Sequence, residues 1–320
     1  MKLKTWIIDF LKGATLGIGL LPGVSAGTIG ITVGIYDKLI GGVNGLKKQF
    51  VRSLLVLLPI MLGWVIFGVA LLYLEHLTWD RFPFIIVLTC AGLTIGGIPV
   101  IWKEFRSHSL SGKDFIYAGI GFALAVLIGV LSVLAKINHW FDVEAAFLDP
   151  NANIWIYFVT ILIGIVAMGA CIVPGISGAM ILFIFGLYQP VLDLFMGNNS
   201  MFHNHDRLTT GLILAGCLVL GIVIGLLGVS KIMKFMLNKH HAGTFDVVFG
   251  FVLGSIVSMF VNNQIWDSYF NPEVNVWWQW LIGGACLAAA FALTFFLVRK
   301  SLRKNDKCEK PSESVENSSM

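Results

Sequence analysis

The chain has 320 residues, of which 57% are hydrophobic and 12% charged. That is about half the charged share of a soluble globular domain, which excludes a water-soluble fold. The 22 Lys and Arg against 18 Asp and Glu leave a net charge of +4, too small a surplus to point to a nucleic-acid partner.

In chain order, Lys2 and Lys4 precede an apolar stretch that carries Asp9 and Lys12 and runs on without a small-residue cleavage site, so no cleaved signal peptide is expected. Residues 13–35 are apolar but broken by Pro22-Gly23, which a continuous helix cannot pass undisturbed. They predict a helix, a break and a second helix. Three uninterrupted apolar runs follow at 53–74, 84–102 and 115–135, each able to cross a hydrocarbon core of about 30 Å as a helix. The order then recurs. Residues 153–196 are apolar and broken by Pro174-Gly175, and 208–230, 244–261 and 277–298 are three further spans. The tail 299–320 is polar and poor in hydrophobes, which predicts disorder. Cys90, Cys171, Cys217 and Cys286 lie in apolar runs without CxxC spacing and read as small buried hydrophobes.

Charge sets the expected topology. Segments 1–12, 36–52, 103–114, 231–243 and the tail hold 19 of the 22 basic residues, whereas loops 75–83, 136–152, 197–207 and 262–276 hold only Arg81, Lys136 and Arg207. The basic set is expected in the cytoplasm, with both termini there, and the other set outside. Both flanks of 13–35 are then cytoplasmic and both flanks of 153–196 external, so each broken segment enters and leaves by one face.

A shift of 152 positions lays Leu21-Pro22-Gly23-Val24-Ser25 on Val173-Pro174-Gly175-Ile176-Ser177, and Gly34-Ile35-Tyr36 on Gly186-Leu187-Tyr188. The three spans after each copy recur in order. The expected fold is therefore an all-α polytopic membrane protein of two inverted-topology repeats, 1–152 and 153–298, each a re-entrant hairpin followed by three transmembrane helices. Inverted repeats with broken helices mark secondary transporters.

Ser25 and Ser177 stand where a helix N-cap would begin each hairpin's return leg, and an N-terminus offers unpaired N–H groups to an anion such as phosphate. Gly23, Gly27, Gly175 and Gly178 allow a ligand close to the backbone, and Thr28 adds a hydroxyl in the first copy. The plainer alternative is a tight turn with a serine cap; the duplication favours the site. Arg52 and Arg207 open the first ordinary span of each repeat, one per membrane face, where they could meet phosphate or snorkel to the interface. Tyr36 and Tyr188 recur by symmetry and are candidate phosphate donors, although interfacial tyrosines are common. The motifs Gly30-x-x-x-Gly34, Gly92-x-x-x-Gly96, Gly221-x-x-x-Gly225 and Gly250-x-x-x-Gly254 read as helix-packing faces. No catalytic or metal-binding residue is expected.

The segments LPGVSAGTIGITVGIYDKLI and VPGISGAMILFIFGLYQPVLDLF resemble the paired signature of the bacterial polyprenyl-phosphate translocase family, over nearly the whole chain except its last twenty or so residues. The resemblance implies that the partner is undecaprenyl phosphate, the C55 lipid carrier of peptidoglycan and wall-polymer synthesis, returned from the outer to the inner leaflet of the cytoplasmic membrane. No cofactor is expected, apart from coupling to protons or another ion. Two other functions compete with this one: a membrane phosphatase acting on polyprenyl diphosphate, and a secondary transporter of a small soluble anion. Neither Pro-Gly-x-Ser copy has an adjacent Arg or His to activate a nucleophile, which speaks against the phosphatase.

Overall fold

A computed structural model describes residues 3–22, 29–30, 33–35, 38–39, 41–42, 49–106, 111–138, 149, 153–172, 177–185, 187–196, 200–203, 205–261 and 263–316. The described residues are all-helical. They form α1 (Leu3–Leu16) with a 3-10 turn at Gly17–Leu20, α2 (Phe50–Trp79), α3 (Pro83–Phe105), α4 (Gly112–Ile137), α5 (Ile154–Ile172), α6 (Gly178–Ile184), α7 (Tyr188–Phe195), α8 (His205–Lys239), α9 (His241–Phe260), α10 (Asn263–Phe270) and α11 (Trp277–Glu316).

Six of these, α2, α3, α4, α8, α9 and α11, contain stretches long and apolar enough to cross a membrane, and they coincide with the six expected spans. The protein is thus a multi-pass membrane protein. The outer faces of α2, α4 and α8 are apolar and exposed, through residues such as Leu58, Val65, Leu124, Leu131, Val219 and Leu226; in water this surface would be untenable, and in lipid it is the solvent-facing side. The spans of α3 and α9 are about half buried, against roughly a quarter for the other four, so these two helices form the centre.

Glycines set the helix pairs. α1 lies along α2, with Gly13 on the Ile60 carbonyl and Gly17 on the backbone of Gly68. α5 lies along α8, where Gly221 faces the Ile161 carbonyl and a Cβ on Gly225 would come within 2.6 Å of the Ile165 oxygen. α4 packs on α9 through Gly250 against the Ala118 carbonyl and Gly254 against that of Phe122. α3 packs on α11, where a Cβ on Gly96 would stand 2.8 Å from the Phe291 oxygen. With no side chain in the way, backbones approach closely and dispersion contacts replace the hydrophobic drive that lipid removes. Gly34 is different: it sits at φ 70°, and the Ile35 N–H donates to the Gly30 carbonyl at 2.9 Å. This left-handed turn suits glycine because a Cβ would crowd the following carbonyl.

Several boundaries depart from the sequence expectation. Residues 3–12, expected as a basic flank, belong to α1. Their Leu3, Ile7, Ile8 and Leu11 are exposed while Asp9 is buried and accepts from Lys38 Nζ at 2.7 and 3.0 Å, an ion pair across the first break. α2 continues five residues beyond 74, α8 nine beyond 230, and α11 through the polar tail to Glu316. Lys, Arg and Glu are good helix formers, so a helix need not stop where the apolar run does. The return leg of the second hairpin is two helices, α6 and α7, bent by 110°. The expected loop 262–276 contains α10.

Candidate functional site

The second Pro-Gly break separates α5 from α6. Ser177 stands at the N-cap of α6 in extended conformation (φ −104°, ψ 137°), buried, and its hydroxyl makes no capping hydrogen bond. Gly178 beside it is also buried. α6 has only seven residues, so its end carries little of a long helix's dipole, and the donors at this turn are the hydroxyl and the local N–H groups. α6 is anchored by packing against α5 and α9, with Met180 Sδ 3.4 Å from the Ser255 hydroxyl, which donates to the Val252 carbonyl at 2.7 Å. Gly23, Ser25, Gly27, Thr28, Tyr36 and Gly175 lie outside the described residues.

Beyond the bend, α7 meets the far end of α2. The Tyr188 hydroxyl donates to Glu75 Oε2 at 2.7 Å, and both residues are buried. The tyrosine read from the sequence as a phosphate donor therefore spends its proton on a carboxylate. One residue along, His76 Nδ1 lies 3.0 Å from Asp193 Oδ1, and Gln189 Nε2 lies 3.2 Å from that nitrogen and 3.4 Å from the same carboxylate oxygen. The aromatic contact of Trp79 with Phe183, at 5.8 Å between ring centres, closes the junction.

Glu75 was not singled out by the sequence, because it opens the expected external loop 75–83. The signal was present: Leu77 and Trp79 continue the apolar pattern past it. The start of the first break lies toward the same end of α2. α1 and α2 run parallel with Gly17 against Gly68. Pro22 lies five residues beyond Gly17 and Glu75 seven beyond Gly68, so the start of the first Pro-Gly turn and this carboxylate occupy the same end of the pair.

The arginines are elsewhere. Arg52 is exposed, with Gln49 Oε1 at 3.5 Å. It precedes Glu75 by 23 residues on one helix, about 35 Å at 1.5 Å per residue, so it shares no site with Tyr188. Arg207 is half-buried in the first turn of α8. It lies 14 residues before Gly221, and Ile172 lies 11 residues after the Ile161 that Gly221 touches. Arg207 and the second break are thus roughly 35 Å apart along the helices.

Two cavities lie near the end of α4. One, of about 430 Å³, is lined by Ile128, Leu131, Ser132, Trp155, Val159 and Phe185 among others, and is mostly apolar. Leu131 and Phe185 are also exposed on the outer surface, so this cavity borders lipid between α4 and the second hairpin. The other, of about 350 Å³, is mostly polar, with Asp80, Lys136, Gln189, Gln264, Asp267 and Ser268 on its walls. Lys136 there binds Asp267 at 2.6 Å and donates to the Asn263 carbonyl at 3.0 Å.

Comparison with known proteins bears on what passes through. The chain is 27% identical over 271 residues to the polyprenyl-phosphate transporter of Vibrio cholerae serotype O1, covering 80% of this chain and 78% of that one. It is 28% identical over 257 residues to the polyprenyl-phosphate transporter of Staphylococcus aureus, covering 79% and 86%. No solved structure matches it. The family model described as VCA0040-like, undecaprenyl phosphate translocase-like, matches residues 17–276, from the first hairpin through α10, and the chain belongs to that family.

Proposed function

We propose that the protein is a translocase, not an enzyme, which carries undecaprenyl phosphate from the outer to the inner leaflet of the bacterial cytoplasmic membrane for reuse as a carrier in wall-polymer synthesis. The observation that carries this reading is the apolar cavity between α4 and the second hairpin, bordered by lipid-exposed Leu131 and Phe185, in a chain of the undecaprenyl phosphate translocase-like family. A lipid with an anionic head needs an apolar side opening for its tail and donors for its phosphate; a small soluble anion needs only the second.

The phosphate is held by the two Pro-Gly-x-Ser turns, through Ser177, Gly178 and Gly175 in one and Ser25, Gly23, Gly27 and Thr28 in the other. The buried Ser177 hydroxyl, not spent on a cap, supports this assignment. Arg52 and Arg207, each far from the groups compared above, act at loading and release on the two faces. The helix pairs support the inverted repeat: α3 of the first half packs on α11 of the second as α9 of the second packs on α4 of the first, and α1 meets α2 as α5 meets α8. The positive-inside bias, taken with this pairing, supports both termini in the cytoplasm.

The test is leaflet exchange of a polyprenyl phosphate, beside a polyprenyl diphosphate and inorganic phosphate, in liposomes holding the purified protein. Exchange of the monophosphate without phosphate release is the expected result. Release of phosphate from the diphosphate would establish the phosphatase instead, and uptake of free phosphate without lipid exchange would establish the anion transporter.

A further inference from the structure

Glu75 is only 6% exposed, lies within a membrane-spanning helix and has one oxygen, Oε2, bonded to Tyr188. Its other oxygen, Oε1, is buried with no hydrogen-bond partner among the described residues. A carboxylate in that position is expensive in a membrane unless it has a task. The ionisable groups near it are His76 of α2 itself, Tyr188 and then Asp193 from α7, and Cys90 from α3; α6 presents none. No cation among these is fixed to neutralise it, since His76 is turned to Asp193.

The polar cavity that carries Asp80 and Asp267 ends one layer of side chains from this group. Trp79, one helical turn from Glu75, lines it, and so does Gln189, the neighbour of Tyr188. Two carboxylates, Asp80 and Asp267, against one lysine, itself paired to Asp267, make the cavity a poor host for phosphate and a good one for cations. A metal cation takes about six oxygen ligands, more than one carboxylate and one phenol supply, whereas a proton needs only the free oxygen.

We propose that Glu75 is a proton-binding site: Oε1 takes a proton from water in the cavity formed by Asp80, Lys136, Gln189 and Asp267, and the neutral acid returns that proton to water on the opposite side in each transport cycle. No other bond is made or broken. Because Oε2 is tied to the second hairpin through Tyr188, and Glu75 shares its end of α2 with the start of the first Pro-Gly turn, its charge state acts on both hairpins. This rests on the lipid-transport reading for its cargo and not for the proton site itself.

Two measurements on the full chain test it. Infrared difference spectra of the purified protein in lipid, recorded between two pH values, should contain the carbonyl band of a titrating buried carboxylic acid that disappears in Glu75→Gln and persists in Asp193→Asn. The same band in Glu75→Gln would overturn the proposal whether or not any lipid moves. In liposomes with an imposed pH gradient and sodium held equal on both sides, one proton per lipid would shift the leaflet ratio of a polyprenyl phosphate by up to about tenfold per pH unit. Glu75→Gln should lose that accumulation, and Glu75→Asp should retain it. Gradient-driven accumulation persisting in Glu75→Gln, or accumulation in wild type driven by sodium alone, would refute the proton site. Absence of lipid exchange in wild type, with the infrared band still lost in Glu75→Gln, would reject the lipid as cargo and leave the proton site standing.

Discussion

Replacing Tyr188 by Phe isolates one hydroxyl. The ring keeps its contact with Phe183, at 5.8 Å between centres, and only the donor 2.7 Å from Glu75 Oε2 is lost. Since Oε1 already lacks a partner, a charged Glu75 would then be buried without the one hydrogen bond seen here. Losing a hydrogen bond to a charged group costs about 1.5–3 kcal/mol, and the burial of both residues puts the value toward the upper end. Unfolding of the purified protein in detergent at alkaline pH, where the carboxylate holds its charge, measures it. The informative variant is the double one. Glu75→Leu alone strands the Tyr188 hydroxyl without its acceptor, but Glu75→Leu with Tyr188→Phe removes both polar groups, so the pair should be more stable than the sum of the single effects by at least about 1 kcal/mol. Additive losses would refute the reasoning, because they would mean that the two groups do not depend on each other.

Ser177→Ala should weaken polyprenyl-phosphate binding roughly ten- to a hundredfold while leaving the melting temperature unchanged, since the hydroxyl caps nothing; titration of the lipid and a melting curve on the same sample check both. Gly250→Val should lower stability by about 1–3 kcal/mol, because its side chain would run into the Ala118 carbonyl. Gly119→Ala, which meets nothing within 4 Å, should be neutral or stabilising by up to about 1 kcal/mol; equal melting shifts for the two would contradict the packing described. Asp9→Asn should lower the melting temperature modestly, by about 1 kcal/mol or less in stability, because Lys38 is half-exposed and its ion pair is screened by water.

The spans were legible because twenty or so apolar residues in a row have few other physical solutions, and Pro22 and Pro174 marked where the helices break. The sequence was less informative at helix ends. Ending the first span at Leu74 treats Glu75 as a boundary, yet the helix satisfies its backbone through Trp79 whatever its side chains are. The second return leg reads as one apolar segment; the bend between Ile184 and Tyr188 adds no charge and only one more glycine to mark it. The position of Ser177 at an N-cap follows from local turn chemistry and could be read directly. The fate of the Tyr188 hydroxyl could not, because its acceptor is 113 residues away in the chain. Arg52 and Arg207 matched by rank in the repeat, which says nothing of distance across the bilayer.

The helix pairs also set an order of assembly. Gly17 reaches Gly68 and Gly225 reaches Ile165, partners some fifty to sixty residues apart, so α1 with α2 and α5 with α8 can zip together soon after each is inserted. Gly96 has to wait for Phe291 and Thr294, nearly two hundred residues later in synthesis. Until α11 arrives, α3 stands in the bilayer with its glycine face uncovered, while α9 closes on α4 only after α8 is in place. From the insertion of α8 until α9 closes on α4, the chain is therefore two preformed pairs around an open centre. A ribosome stalled before α11, or a truncation there, should yield an inserted but uncaptured α3, the form most exposed to membrane proteases.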